Sequence, residues 1–212
     1  MRASGALPED DDPIVLALSR PARTFTGDFY FTHRHRDRLW IAHGDVAGKG
    51  LPAAIVMAMI QEELEQRITA CAATQCDPAA TMARLHEFLR PLLPKNRFAT
   101  GVIGWLRDDG TLTIANGGHC PPLIIRRNGT IEEIASTGPL LGILTNAKWR
   151  STTSRLARGE TLVLYSDGVT ESCADLGVAG LKRVLATART PEEVVAQIGK
   201  TMDDVTLVMV KR

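Results

Sequence analysis

The first half of the chain alternates short apolar runs with one long helical pattern. Residues 14–18, 29–31 and 39–42 are short apolar runs that predict buried strands. From Leu51 the apolar residues recur with the period of a helix, which becomes polar over residues 61–67. Because the first half of this helix is apolar on every face, we expect it to be buried between two layers.

A second helix and a block of strands follow. Asp77 is placed to cap a helix over residues 78–92, and Pro94 ends it. Two strong hairpin signals, Asp109-Gly110 and Asn128-Gly129, separate short runs with strand character. These runs predict strands over residues 98–105, 111–115, 123–125 and 131–134.

The last part of the chain contains longer elements. It predicts a buried strand over residues 161–165, helices over 178–188 and 191–200, and a closing strand over 205–210. Runs of strands interrupted by paired helices differ from the strict alternation of parallel α/β proteins. We therefore predict an α+β fold of antiparallel sheets with helices outside, as one domain over residues 13–212 after a flexible acidic leader at 1–12.

Composition excludes several classes of protein. The 212 residues are 44% hydrophobic and 23% charged, which is typical of a globular protein, and the net charge of +1 lacks the basic excess of nucleic-acid binders. No apolar run approaches the roughly 20 residues that cross a bilayer, and a secretory pattern is missing at the N-terminus. We expect a cytoplasmic protein without a sensor domain, and neither nucleic acid nor membrane as a partner.

The four cysteines, Cys71, Cys76, Cys120 and Cys173, form no C-x-x-C pair and no metal-finger spacing. Reduced thiols in a cytoplasm are the simplest interpretation. A disulfide between Cys71 and Cys76 is the alternative.

Acidic residues recur at the ends of predicted strands. Asp28 precedes one strand, Asp45 and Asp167 each follow one, and Asp203 and Asp204 precede the last. Any one of them is explained as a turn former or helix cap. As a set near the core they are costly unless cations compensate them. Oxygen donors without His or Cys favour hard divalent ions such as Mg²⁺ or Mn²⁺.

The segment before the long helix, Gly44-Asp-Val-Ala-Gly-Lys-Gly50, invites comparison with a phosphate-binding loop. It fails that pattern, because three residues rather than four precede the Gly-Lys pair and Gly50 stands where Ser or Thr is needed. We expect its glycines to let the backbone turn sharply beside Asp45, so that main-chain carbonyls approach an ion. A purely structural glycine-rich turn is the alternative.

Five motifs in a fixed order resemble those of one family. They are Gly27-Asp-Phe-Tyr30, Gly44-Asp-Val-Ala-Gly-Lys-Gly-Leu-Pro-Ala-Ala54, Asn116-Gly-Gly-His-Cys-Pro-Pro122, Tyr165-Ser-Asp-Gly-Val-Thr-Glu171 and Asp203-Asp-Val-Thr-Leu207. Together they resemble the metal-dependent, phosphatase-2C-like serine/threonine phosphatases (PPM family). The similarity is to the bacterial branch of stage II sporulation protein E and the RsbU and RsbX stress-regulator phosphatases.

The resemblance implies a four-layer α-β-β-α sandwich of two antiparallel sheets flanked by helix pairs, with two Mn²⁺ or Mg²⁺ ions at one end of the sheets. Asp45 would bridge both ions. The implied catalytic ligands are the side chains of Asp28, Asp45, Asp167 and Asp203, with the Val46 carbonyl as a further oxygen and Asp204 ranked second.

The implied activity is that of a hydrolase, a protein serine/threonine phosphatase using metal-activated hydroxide without a covalent intermediate. Its partner would be a phosphorylated STAS-type anti-sigma-factor antagonist in a bacterial stress-response circuit, and the chain itself would be a monomer or weak homodimer. Phe31 and Thr32 depart from the family, which commonly has a second acidic residue soon after the first motif. This departure keeps open a catalytically weak pseudophosphatase that binds the same partner.

Other polar residues near these motifs are expected to be structural. We expect His119 to stabilise a turn near the cleft and His43 to be a core histidine. His33 and His35 fall in a predicted exposed hairpin. None of the arginines matches the phosphate-binding arginine of the animal enzymes.

Overall fold

The computed structural model describes residues 12–22, 24–48, 50–71, 76–173, 177–199, 201 and 203–212. Residues 1–11 of the predicted acidic leader lie outside the described residues, as does Lys49 of the glycine-rich segment before the long helix. Asp12 is described, and its carboxylate pairs with Arg34 at 3.0 Å. The leader and its boundary with the domain remain predictions.

Ten strands form two antiparallel sheets of five strands each. In chain order they are β1 (Ile14–Arg20), β2 (Asp28–His35), β3 (Arg38–Val46), β4 (Ala99–Arg107), β5 (Thr111–Gly117), β6 (Leu123–Ile125), β7 (Ile131–Glu133), β8 (Thr152–Arg155), β9 (Thr161–Tyr165) and β10 (Val205–Lys211). The first sheet has the order β1-β10-β9-β6-β7, and the second has the order β2-β3-β4-β5-β8.

Helices cover the outer face of each sheet. The second sheet carries α1 (Leu51–Thr69) and α2 (Pro78–Leu89), and the first carries α3 (Asp167–Glu171), α4 (Val178–Leu185) and α5 (Pro191–Ile198). The predicted α+β sandwich with four layers is confirmed. In the described part of the chain, every helix is too short or too polar to cross a membrane.

Three apolar clusters fill the spaces between the layers, and β3 separates two of them. Trp40 and Ala42 belong to the cluster beneath α1 and α2. Leu39 and Ile41 belong to the cluster between the two sheets. Since side chains alternate along a strand, residues 43 and 45 also point into the space between the sheets.

Several predicted boundaries are wrong by a few residues, and two elements were missed. Strand β3 continues to Val46, so that Asp45 lies within the strand rather than after it. The missed elements are α3 and β8. The sequence of β8, Thr-Thr-Ser-Arg, has no apolar alternation because this short strand lies at the edge of its sheet.

The expectation that the first half of α1 is buried on every face is wrong. Leu51 and Ile55 are 53% and 51% exposed. They lie about half a turn away from Ala53 and Ile60, which are buried against the second sheet. Only one face of this helix therefore contacts the rest of the described domain.

The connection between α1 and α2 corrects the interpretation of the cysteines. Cys71 and Cys76 form a disulfide with their Cα atoms 6.0 Å apart, whereas reduced thiols were expected. The Cys76 carbonyl accepts hydrogen bonds from Arg38 Nη1 and Trp105 Nε1, both at 3.2 Å. The C-terminal end of α1 is thus linked covalently to a residue that is anchored on the second sheet.

We predict that the unreduced, denatured protein titrates with two free thiols rather than four, corresponding to Cys120 and Cys173. Reduction should lower the free energy of unfolding by about 2 kcal/mol, the entropy expected for opening a loop of about six residues in the unfolded chain. Urea unfolding with and without a dithiol measures the change.

The double variant Cys71→Ser/Cys76→Ser should match the reduced protein and lose its sensitivity to reductant, whereas Cys173→Ser should keep that sensitivity. Four titrating thiols in the unreduced wild-type protein would contradict the disulfide.

Candidate metal centre

Two of the predicted ligands face each other on neighbouring strands. Asp28 is the first residue of β2, Asp45 is the penultimate residue of β3, and the two are direct partners in the antiparallel register. Asp28 is only 5% exposed. The two carboxylates therefore meet at one end of the space between the sheets.

The other predicted ligands come from the facing sheet. Asp167 is the first residue of α3, directly after β9, and Asp203 and Asp204 precede β10, which pairs with β9. The Ser166 hydroxyl donates to the Asp204 carbonyl at 3.2 Å. A Cβ at Gly168 would lie 2.1 Å from the same carbonyl, so only glycine permits this approach. The end of β9 and the start of β10 are thereby held together.

The electrostatics show that these carboxylates converge. Burial raises the pKa of Asp45 to about 6, and the charges of Asp167, Asp204 and Asp203 contribute in that order. Burial also raises the pKa of Asp28 to about 7; the nearby hydroxyls of Thr206 and Ser166 oppose the increase, and the charges of Asp45 and Asp204 add to it. The structure thus brings all five predicted acidic residues into one electrostatic cluster.

The Val46 carbonyl oxygen lies beside the Asp45 carboxylate, next to Gly27. A Cβ added there would lie 2.6 Å from Asp45 Oδ1 and 2.7 Å from the Val46 carbonyl oxygen. The Val46 amide donates to the Gly27 carbonyl at 3.2 Å. The absence of a side chain at Gly27 therefore leaves space beside two oxygens, one from a carboxylate and one from the main chain.

The donor chemistry fits a hard divalent cation. Asp28 Oδ2 is buried and has no hydrogen-bond partner in the structure. Such an orphaned carboxylate oxygen is costly in a dry environment, and an ion would satisfy it. Carboxylate and carbonyl oxygens are the ligands that Mg²⁺ and Mn²⁺ prefer.

The residue types suit a divalent ion, but the described side chains are not yet arranged around a common point. Among the described residues, no group of three His, Cys, Asp or Glu side chains is already arranged to hold an ion. Asp204 Oδ1 accepts the Ala22 amide at 2.6 Å, and Asp203 Oδ1 accepts the Asp204 amide at 3.0 Å. Like charges repel, so coordination would have to draw these side chains together.

A neutral polar layer separates the acidic cluster from the apolar core. His43 Nδ1 lies 2.8 Å from His119 Nε2, and His119 Nδ1 lies 2.8 Å from the Thr100 hydroxyl. Burial lowers the pKa of His119 to about 4 and that of His43 well below 6.5, so both rings are neutral at pH 7. The His119 amide also donates to Asn116 Oδ1 at 2.8 Å, as expected of a residue that stabilises the turn.

Two residues beside the cluster were not singled out from the sequence. Burial raises the pKa of the Cys120 thiol to about 12, and the charges of Asp167, Asp28 and Asp45 add to this, so the thiol stays protonated. Arg97 Nη1 donates to the Ala47 carbonyl at 3.1 Å. Cys120 belongs to the third quoted motif, whereas the sequence around Arg97 carries no recognisable signal.

The glycine-rich loop after β3 turns as expected. Gly48 and Gly50 have φ angles of +134° and +80°, which residues with a side chain rarely adopt. Lys49, the basic residue of the rejected phosphate-loop pattern, lies outside the described residues.

Comparisons with known proteins agree with this architecture. The solved PP2C phosphatase domain of the cell-fate determinant SpoIIE from Bacillus subtilis matches with a TM-score of 0.83 at 17% identity, over 94% of this chain and 63% of that one. A crystal structure of RsbX in complex with magnesium matches with a TM-score of 0.74 at 17% identity, over 96% of both chains. At these identities the likeness concerns the fold.

Sequence relatives point in the same direction. Phosphoserine phosphatase RsbU of Bacillus subtilis (strain 168) is 28% identical over 173 residues, which are 81% of this chain. The chain spans only 50% of the length of RsbU. The family model described as stage II sporulation protein E (SpoIIE) matches residues 35–212, which is most of the sequence. The chain therefore belongs to the stage II sporulation protein E family.

Proposed function

We propose that this chain is a metal-dependent protein serine/threonine phosphatase. The observation that carries the proposal is the convergence of five carboxylates at one end of the space between the sheets, with one buried oxygen of Asp28 unpartnered. Membership of the SpoIIE family and the relationship to RsbU, a named phosphoserine phosphatase, support the same activity.

In this proposal two Mg²⁺ or Mn²⁺ ions, when bound, lower the pKa of a water molecule and offset charge on the phosphoryl oxygens. Asp45 and the Val46 carbonyl, which already lie together beside Gly27, hold them from the second sheet with Asp28. Asp167 and Asp203 would hold the ions from the first sheet. Asp204 is a less favoured candidate ligand than Asp203.

The chain's own residues prepare this site in two ways. The raised pKa values of Asp28 and Asp45 leave both carboxyl groups partly protonated between pH 6 and 7 in the metal-free protein. They would release these protons on becoming metal ligands. His43 and His119 keep the base of the site neutral and hydrogen-bonded. Because both rings are buried and neutral at pH 7, neither is placed to protonate a leaving serine or threonine alkoxide.

The proposed substrate is a phosphorylated regulatory protein of the STAS type that antagonises an anti-sigma factor in a bacterial stress circuit. Support comes from the resemblance of the motifs to the RsbU and RsbX branch and from the match to RsbU. Within the same proposal the protein acts in the cytoplasm as a monomer or weak homodimer.

The alternative that this chain is a catalytically weak pseudophosphatase was based on Phe31. The position of Phe31 in the structure weakens this alternative. Phe31 packs against the cluster beneath α1. It alternates with Asp28 along β2 and so faces the helices rather than the space between the sheets. An aromatic residue there fills the core and removes no oxygen from the acidic cluster.

Hydrolysis of p-nitrophenyl phosphate should require Mn²⁺ or Mg²⁺. Asp45→Asn and Asp167→Asn preserve side-chain size but remove the charge that would hold the ions, so each should lower kcat/KM by at least about 100-fold. Steady-state kinetics at saturating metal measure the loss.

Asp109→Asn, in the exposed turn between β4 and β5, is the matched control and should retain wild-type activity. Equal activity in all three variants would refute the assigned site. Metal and phosphoprotein binding without turnover in the wild type would favour the pseudophosphatase.

Mn²⁺ binding should release protons in a pH-dependent amount. With pKa values of about 7 for Asp28 and about 6 for Asp45 in the metal-free protein, about one proton should leave at pH 6.5 and almost none at pH 8.5. Metal affinity should accordingly fall as the pH is lowered through 7. Calorimetry in buffers of different ionisation enthalpy measures the protons released.

The same titration on Asp28→Asn should show most of this release missing at pH 6.5, because the group with the higher pKa is gone. A proton count that is identical at the two pH values in the wild type would contradict the raised pKa values.

A further inference from the structure

We propose that Arg97 is a substrate-binding residue, whose guanidinium donates hydrogen bonds to the phosphoryl group of the phosphoprotein. This inference rests on the proposed phosphatase function and adds a residue that neither the motifs nor the acidic cluster identifies. The observations behind it are the contacts of Arg97 with the loop after β3.

Arg97 is held against the loop that leaves the acidic cluster. Its Nη1 atom donates to the Ala47 carbonyl at 3.1 Å, and the Ala47 amide donates to the carbonyl of Phe98, the next residue after Arg97, at 2.8 Å. Ala47 directly follows Asp45 and Val46 in the chain. Arg97 is therefore fixed beside the segment that supplies a carboxylate and a carbonyl to the proposed ions.

The loop is shaped to receive the guanidinium. A Cβ at Gly48 would lie 2.5 Å from Arg97 Nη1 and 3.1 Å from its Cζ atom. A side chain at residue 48 would therefore displace the arginine, in addition to straining a backbone with φ at +134°. Glycine at this position is thus needed for the close approach of Arg97 as well as for the turn.

Arg97 retains hydrogen-bonding capacity for an anion. A guanidinium has five N–H donors in a planar fork, and the loop carbonyl takes one of them. The residue is exposed. Arginine in this state suits the bidentate recognition of phosphate, because its planar geometry matches two phosphoryl oxygens.

The charge balance of the site calls for such a residue. When all five acidic residues are ionised around two bound divalent ions, their five negative charges outnumber the four positive charges of the ions. A phosphomonoester dianion that approaches this cluster meets repulsion unless a further cation offsets it. Arg97 supplies that charge from the rim, without being a ligand itself.

A purely structural role for Arg97, anchoring the loop through Ala47, predicts a different result. Loss of the anchor would disturb Asp45 and Val46, so that metal binding and phosphate binding weaken together. Loss of a substrate-binding cation weakens phosphate binding alone. Metal binding should stay constant or become tighter, because a positive charge near the ions has been removed.

The test uses Arg97→Gln, which removes the charge and shortens the side chain, and Arg97→Lys, which keeps the charge and most of the length. Arg90→Gln, at the residue that follows α2, is the matched control, since Arg90 is an exposed arginine paired with Glu87. We measure kcat and KM for p-nitrophenyl phosphate, and by calorimetry the Kd values of Mn²⁺ and, for the Mn²⁺-loaded protein, of inorganic phosphate.

We expect Arg97→Gln to raise KM and the phosphate Kd about tenfold or more, with an unchanged or smaller Mn²⁺ Kd, and Arg97→Lys to recover part of the loss. Unchanged phosphate Kd in Arg97→Gln, or a parallel weakening of Mn²⁺ binding, would overturn the proposal.

The phosphate titration requires no turnover, so it separates this inference from the proposed function. A wild-type protein that fails to hydrolyse but binds phosphate through Arg97 would overturn the function and retain the site. A wild-type protein that binds no Mn²⁺ would overturn both.

Discussion

Repulsion among carboxylates is the constraint around which one end of this molecule is organised. Four separate segments carry Asp28, Asp45, Asp167 and the Asp203-Asp204 pair to the same end of the two sheets. Burial raises the pKa values of Asp28 and Asp45, and the charges of the neighbouring carboxylates add to the effect. The fold must therefore hold together a cluster that electrostatics alone would disperse.

Hydrogen bonding between strands and the packing of layers oppose this repulsion. The cross-strand pairing of β2 with β3 and of β9 with β10 fixes the backbone positions of the acidic residues. Below them lies the hydrogen-bonded layer of His43, His119 and Thr100, and below that an apolar core. Polarity thus decreases stepwise from the acidic cluster to the apolar core. The neutral histidine layer keeps the carboxylates from direct contact with that core.

Much of this arrangement could be predicted from the sequence, because strands and acidic residues leave local patterns. The positions of Asp28, Asp45 and Asp167 at the ends of predicted strands indicated a set of carboxylates near the core, and the family resemblance implied the sandwich and the end of the sheets at which they meet. What escaped prediction depends on contacts distant in sequence. The polar edge strand β8 has no periodicity of its own, and the contact of Arg97 with Ala47 joins residues fifty positions apart.

The exposed face of α1 shows the limit of pattern analysis in another way. Its apolar composition indicated burial, yet Leu51 and Ile55 face outward. Hydropathy indicates that an apolar side chain favours burial. It does not indicate whether another part of the described chain packs against that side chain. The direction of a helix face is decided only when the neighbouring sheet is in place.

The link between Cys71 and Cys76 has a practical consequence for anyone who handles this protein. A preparation kept in dithiothreitol and one kept in air are different covalent species at the joint of the two helices on the second sheet. Batches that differ in this respect are expected to unfold at different temperatures, and comparisons between laboratories need the oxidation state of each sample to be recorded.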